Sequence, residues 1–210
     1  MIYGAEEEKE EEPSEECPSH IDPICQGLDG EDPPLLGLVG EITEEGAQQI
    51  TLALLTLNGG KILHTDPEVF EGVEDIEFFI SSSGGSVNDM FSIYDLMQLI
   101  KKNRDIATFG YGKIYSAAVP LLAAGTKGKR YIGRHTRVML HYCATNASGS
   151  HPNIRSNFDE LKKVEEMMIE ILSEHSNLSP DDIYDIISRN TDEFFSAEDA
   201  LEMGIVDQII

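Results

Sequence analysis

The chain has 210 residues, 40% of them apolar and 7% aromatic, with no tryptophan, which is enough for one domain with a sizeable core. A formal net charge of −24 and a pI near 4.4 count against nucleic acid and anionic membranes as partners, because both repel such a surface. Three cysteines, Cys17, Cys25 and Cys143, are too few and odd in number for a disulfide framework and suit a reducing compartment, the cytoplasm.

Residues 1–34 read as an acidic leader. Glu6 to Glu12 is a near-continuous run of like charge, and Pro, Ser, Cys, Gly and Asp follow without periodicity. So little apolar surface leaves most of it without a fold of its own. Cys17, Cys25 and the nearby His20 match no common zinc spacing, and no metal is expected there. The leader lacks the basic start and apolar centre of a signal peptide, and no apolar run approaches the roughly 18–20 residues of a membrane span. No internal repeat is present.

The ordered part, residues 35–210, opens with a short strand over Leu36–Gly40. A helix follows from Thr43, with Ala47, Ile50, Thr51, Leu54 and Leu57 on one face and Gly59-Gly60 at its end. Lys61 to Gly72 reads as a polar loop. Ile76–Ile80 is the second strand, Ser81–Ser86 a sharp turn, and the next helix carries Val87, Met90, Phe91, Tyr94, Met97 and Lys101 in one stripe. A strand over Ile106–Phe109 leads through Gly110–Ser116 into a small-residue helix ending at Gly125. Pro120 falls among the first four helical N–H groups, which lack intrahelical partners, so it is tolerated. After a basic loop, Thr126–Arg130, come short strands at Tyr131-Ile132 and Val138–Leu140, with His141 directly after the second. A long helix spans Asn153–His175. Ser179-Pro180 and the capping-box signature Ser196-Ala-Glu-Asp199 open two more helices, and Ile205 to Ile210 is a terminal apolar strand. This alternation predicts an α/β fold of βα units with right-handed crossovers, with the site at the carboxyl ends of the strands.

At those ends lie the groups that covalent hydrolysis needs. Ser116 stands at a strand-to-helix junction, which exposes its hydroxyl beside unpaired helix N–H groups. His141 follows a buried strand and is a candidate base. Gly84-Gly85 lets the backbone approach a substrate and offers N–H donors. Asp185, Asp192 and Glu193 are candidate orienting acids, and spacing does not choose among them. Lys113, three residues before Ser116, raises a Ser–Lys dyad as a minor option. Asp199, Glu202 and Asp207 read as solvated charges.

Several blocks in order then resemble the proteolytic subunits of Clp proteases. They are Ile80-Ser-Ser-Ser-Gly-Gly-Ser-Val87, Ser92-Ile-Tyr-Asp-Leu-Met-Gln98, Leu121-Leu-Ala-Ala-Gly-Thr-Lys-Gly-Lys-Arg130, Arg137-Val-Met-Leu-His141, Glu170-Ile-Leu-Ser-Glu-His175 and Phe195-Ser-Ala-Glu-Asp-Ala-Leu-Glu-Met-Gly-Ile-Val-Asp207. The resemblance covers Leu36 to Ile210. It implies a spiral of repeated β-β-α units with a projecting helical handle, a fold shared with crotonases. It also implies a serine endopeptidase that cleaves unfolded polypeptides through an acyl-enzyme and needs no cofactor. On it, Ser116 is the nucleophile, His141 the base and Asp192 the orienting acid, with the backbone N–H groups of Gly85 and Ala117 as the oxyanion hole. The implied assembly is a homo-oligomer of two stacked seven-membered rings, fed by an AAA+ unfoldase, a Clp ATPase.

The chain departs from the family pattern at four places. Lys113-Ile-Tyr115 is bulkier than the usual lead-in to the nucleophile, and Ser83 replaces a proline. Ala144-Thr-Asn-Ala147 stands where glycines are usual, and the acidic leader replaces the pore-forming segment. The bulky lead-in favours one alternative, an inactive ring subunit or scaffold assembled with an active relative. A crotonase-type acyl-CoA enzyme is a third reading, which does not require the serine–histidine pair.

Overall fold

The computed structural model describes residues 35–59, 74–143, 148–189 and 191–210. The acidic leader with Cys17, His20 and Cys25, the loop expected over Lys61–Gly72 and the Ala144–Ala147 segment lie outside the described residues. The elements are β1 (Leu35–Ile42), α1 (Glu44–Leu57), β2 (Ile76–Gly85), α2 (Val87–Ile100), β3 (Ile106–Tyr115), α3 (Ala118–Ala123), β4 (Arg130–Ile132), β5 (Arg137–Leu140), α4 (His151–His175), α5 (Pro180–Ile187), β6 (Glu193–Phe195), α6 (Ala197–Glu202) and β7 (Gln208–Ile209). The fold is mixed α/β, built on a parallel sheet with helices.

The sheet runs β1-β2-β3-β4-β7, and β5 and β6 branch from β3. The branch arises because β3 is long enough for two neighbours. Thr108–Gly110 pairs with β4, while Lys113–Tyr115 pairs with β5, both in parallel. Gly112, at φ +67, sits between these arms in a conformation that glycine adopts without steric cost. The sequence pattern predicts that β2 and β3 stop at Ile80 and Phe109. Both continue to Gly85 and Tyr115, because pairing with β1 and β5 outweighs the weak strand preference of Ser and Gly. β6, with no counterpart in the sequence reading, pairs antiparallel with β5.

Side chains on β2 alternate. Ile76, Phe78, Ile80 and Ser82 are buried, and Met90, Ile93 and Met97 of α2 belong to the same core cluster as the three apolar ones. On β2, β3 and β4, a half-buried aromatic ladder links Phe79 to Phe109 and Phe109 to Tyr131, with ring centroids 4.7 and 4.8 Å apart. Capping residues fix the helix starts. Thr43 accepts from the Gly46 N–H, and Ser179 with Asp182 and Ser196 with Asp199 form reciprocal capping boxes.

The short helix α3 carries six buried residues, so its last carbonyls cannot turn to water and need partners from the protein. Thr108 Oγ1 donates to Leu122 O, Arg130 to Ala123 O, and Lys101 Nζ to both Ala124 O and Gly125 O. Lys101, expected on the apolar stripe of α2, is instead a cationic cap for α3, which is also the favourable end for a positive charge. Asp207, expected to be solvated, is largely buried and bonds Arg130 through both carboxylate oxygens at 2.6 and 2.8 Å. Burial pushes its carboxyl up. The Arg130 guanidinium and the N–H groups of Gly128 and Arg130 outweigh that, and hold it below the usual carboxylate range.

His175, at the end of α4, faces the same cations. Burial, then Lys101 and Arg130, pull it down from 6.5 to about 4. The Tyr94 hydroxyl, pushed up to about 12 by burial and by Glu174, keeps its proton, donates to Glu174 Oε2 at 3.5 Å and lies 3.0 Å from His175 Nε2. A histidine with a depressed folded-state pKa contributes stability above its unfolded pKa and loses it as pH falls toward the folded value. Urea unfolding should therefore show wild type losing about 1–2 kcal/mol more than His175→Gln between about pH 7 and about pH 4, after allowing for the partial exposure of the ring. Equal losses would remove His175 from the acid response.

Candidate active site

Three strand ends converge on Ser116. β3 ends at Tyr115, and the Ser116 N–H donates to Met139 O of β5 at 2.8 Å. Its carbonyl accepts from the Val119 N–H, so the chain turns into α3 at once. The turn forces Ser116 to φ +53, the sole positive φ at a non-glycine among the described residues, a conformation that stores strain. Ala117 follows as the N-cap of α3, buried and with no side-chain hydrogen bond at the cap.

Register places the other two groups. In the β5–β6 ladder Leu140 opposes Glu193, so one step further along the two chains His141 faces Asp192. His141 Nδ1 lies 3.1 Å from Asp192 Oδ1, and His141 Nε2 lies 2.9 Å from Ser116 Oγ. With Nδ1 protonated, the imidazole donates to the carboxylate and accepts the serine proton. Of the other acids considered, Glu193 bonds Arg189 and Thr191, and Asp185 sits exposed on α5. Lys113 is exposed and does not line the cleft.

Gly84 and Gly85 are squeezed from both sides. A Cβ on Gly84, at φ +83, would come within 2.7 Å of Tyr115 O and 2.8 Å of Ser116 Cβ. A Cβ on Gly85, at φ +145, would meet the backbone of Ile42. The pair thus lets the end of β2 lie against the Ser116 turn. Ser82, fully buried beside them, accepts the Gly84 N–H at 3.0 Å.

The bulky residues before Ser116 do not crowd this space. Ile114 is fully buried in the core, and Tyr115 packs edge-on against Phe194 of β6, with centroids 5.7 Å apart. None of Lys113, Ile114 and Tyr115 lines the cleft.

With these contacts the Clp protease family model matches residues 35–210. The chain belongs to the Clp protease family. Clp proteases are serine-type endopeptidases. Similar relatives are three proteins named ATP-dependent Clp protease proteolytic subunit 2. The one from Bifidobacterium longum is 34% identical over 170 residues, covering 81% of this chain and 75% of the relative. That from Thermobifida fusca is 39% identical over 136 residues, covering 65% of each. That from Frankia casuarinae is 31% identical over 200 residues, covering 92% of this chain and 86% of the relative.

In this Clp protease chain the Ser116–His141 pair opens into a cleft of about 600 Å³. Ser83 to Asn88 form one wall, and α4 forms another with Asn157, Glu160, Leu161 and Val164. The α4 residues were missed as site residues, although their i, i+3, i+4, i+7 spacing marks one face of a helix. Cys143, two residues past His141, is half-buried in the same cleft, and burial and then Glu165 push its thiol up to about 11. It stays protonated at neutral pH, which argues against it as a competing nucleophile. Among the described residues no group of three or more His, Cys, Asp or Glu is arranged to hold a metal ion, and no helix is long and apolar enough to cross a membrane.

Proposed function

We propose that this chain is the active serine endopeptidase subunit of a self-compartmentalised Clp-type protease and cleaves unfolded polypeptide through an acyl-enzyme on Ser116. The observation that carries the reading is the unbroken contact from Ser116 Oγ through the His141 ring to Asp192. His141 Nε2 takes the hydroxyl proton as Oγ attacks the scissile carbonyl carbon. The Asp192 carboxylate holds Nδ1–H and stabilises the imidazolium that forms. The backbone N–H groups of Gly85 and Ala117 receive the oxyanion. The imidazolium then protonates the leaving amine, and water, deprotonated by the same nitrogen, releases the acyl group and restores Ser116.

The same reading extends to the assembly. The two arms of β3 supply the strand doubling that a spiral of β-β-α units requires, and α4, 25 residues long and largely exposed, suits a projecting handle. The proteolytic domain runs over residues 35–210, with residues 1–34 an acidic leader. The subunits form stacked heptameric rings, and an AAA+ unfoldase delivers substrate to a chamber that needs no cofactor. The cytoplasm is the compartment.

Fluorophosphonate labelling of the purified protein beside His141→Ala, with particle mass measured in solution, tests this. Labelling lost in the variant, on a particle of many subunits, is the expected result. A large particle that does not label would favour the inactive ring subunit instead. A labelled small species would leave the chemistry and remove the stacked rings.

A further inference from the structure

A second cavity, of about 680 Å³, lies behind the wall of the Ser116 cleft. Cys143 and Leu161 line both spaces, so they form the partition between them, and Glu165 faces only the second. β5 ends at Leu140, and His141, Tyr142 and Cys143 run on from it past this void. A segment that borders a void lacks packing contacts on that side and keeps its place only where a directed bond holds it. The bond here is polar, from the Cys143 N–H to the Glu165 carboxylate. Glu165 Oε1 is buried with no hydrogen-bond partner among the described residues. The neighbouring lysines are engaged elsewhere, Lys162 with Glu166 and Lys163 with Glu160. Tyr142 and the Cys143 thiol from the same segment, and Tyr184 from α5, also face the cavity, and none of them is cationic. Burial raises the Glu165 carboxyl above the usual range, and the Cys143 N–H offsets part of that. A desolvated carboxylate with an orphaned oxygen costs stability that an apolar residue would not, so its presence calls for a role other than holding the fold.

We propose that Glu165 is a positioning residue for His141: its ionised carboxylate holds the Cys143 N–H, fixes the backbone two residues past the base, and so keeps the imidazole on Ser116 Oγ. This rests on the reading of Ser116 and His141 as nucleophile and base. Glu165 touches neither substrate nor reacting atoms and acts through the chain alone. Protonation weakens the tie, because a neutral acid is a poorer acceptor than a carboxylate. Burial brings the carboxyl to that state at a higher pH than an exposed one.

The test is steady-state kinetics on the full assembled protein with a short fluorogenic peptide, beside melting temperature at one protein concentration. Glu165→Leu should lower kcat by about tenfold or more with KM within about twofold of wild type, while its melting temperature is equal or higher. Glu165→Gln keeps an acceptor oxygen, and its kcat should fall between the two. Below the optimum, kcat/KM of wild type should drop more steeply than one proton on His141 allows, and that of Glu165→Gln by one proton only. Glu166→Gln, an exposed neighbour on the same helix, should keep the wild-type kcat and acid limb. An unchanged kcat in Glu165→Leu overturns the inference, as do acid limbs that coincide in wild type and Glu165→Gln. A melting temperature that falls along with kcat in Glu165→Leu also overturns it, since that marks a merely structural residue. Each of these results leaves the protease standing. No cleavage by wild type together with no fluorophosphonate labelling removes the nucleophile reading and this inference with it.

Discussion

Ser116→Ala should lower peptide hydrolysis by about 10⁴–10⁶-fold, with the fold retained. The hydroxyl is the group proposed to attack and lies 2.9 Å from His141 Nε2, and alanine keeps the Ser116 N–H that bonds Met139 O. His141→Ala should fall nearly as far. The double variant should lose little more than either single one, because the two groups act as a unit. Asp192→Asn should cost less, since this carboxylate is 56% exposed and water screens and partly replaces it. Ser116→Gly separates chemistry from strain. It removes the same hydroxyl, but glycine is relaxed at φ +53, so this variant should be more stable than Ser116→Ala by about 1 kcal/mol. Single-turnover kinetics with a peptide ester and urea midpoints at one protein concentration check both halves. Additive losses in the double variant would contradict a nucleophile–base pair.

The position of Ser116, the proposed nucleophile, was legible because the junction follows from local order. A strand, a tight turn and a small-residue helix expose the residue at the junction whatever the rest of the chain does. The strand lengths were not legible in the same way. Ser81–Gly85 and Gly110–Lys113 have the composition of turns, and only their partners on β1 and β5 make them strand. The proposed orienting acid marks the limit more sharply. Residue spacing left Asp185, Asp192 and Glu193 equal, and the likeness to Clp proteases chose Asp192. The physical cause of its position is β6, three residues whose register against β5 brings Asp192 opposite His141. Nothing within that short segment announces it. The cleft wall from α4 was missed for another reason. The helix reads as polar and exposed, and its Leu161–Val164 edge gains meaning only once the cleft brings it to Ser116.

Asp207→Ala should destabilise the fold by about 3–5 kcal/mol, because it leaves Arg130 buried without its counter-ion. The reading of Asp207 as a solvated charge failed since its partner lies 77 residues away, beyond any local pattern. Asp207→Asn keeps one acceptor oxygen for the Gly128 N–H and Arg130 Nε but turns its NH2 donor toward Arg130 Nη2, and should cost about 1–3 kcal/mol. Replacing both charges, as in Arg130→Met with Asp207→Leu, should recover part of the loss by removing the unpaired ion. Full recovery is not expected, because Arg130 also donates to Ala123 O and His175 O, and methionine leaves both carbonyls unsatisfied. The consequence reaches the candidate active site through α3. Arg130 and Lys101 hold the carboxyl end of that helix, and Ser116 precedes its other end by two residues. Urea unfolding of the four proteins, paired with fluorophosphonate labelling rates well below their midpoints, tests the coupling. A labelling rate that falls in Asp207→Ala while circular dichroism stays native would mean that this ion pair orients the nucleophile's helix as well as holding the fold. An unchanged rate would confine it to stability.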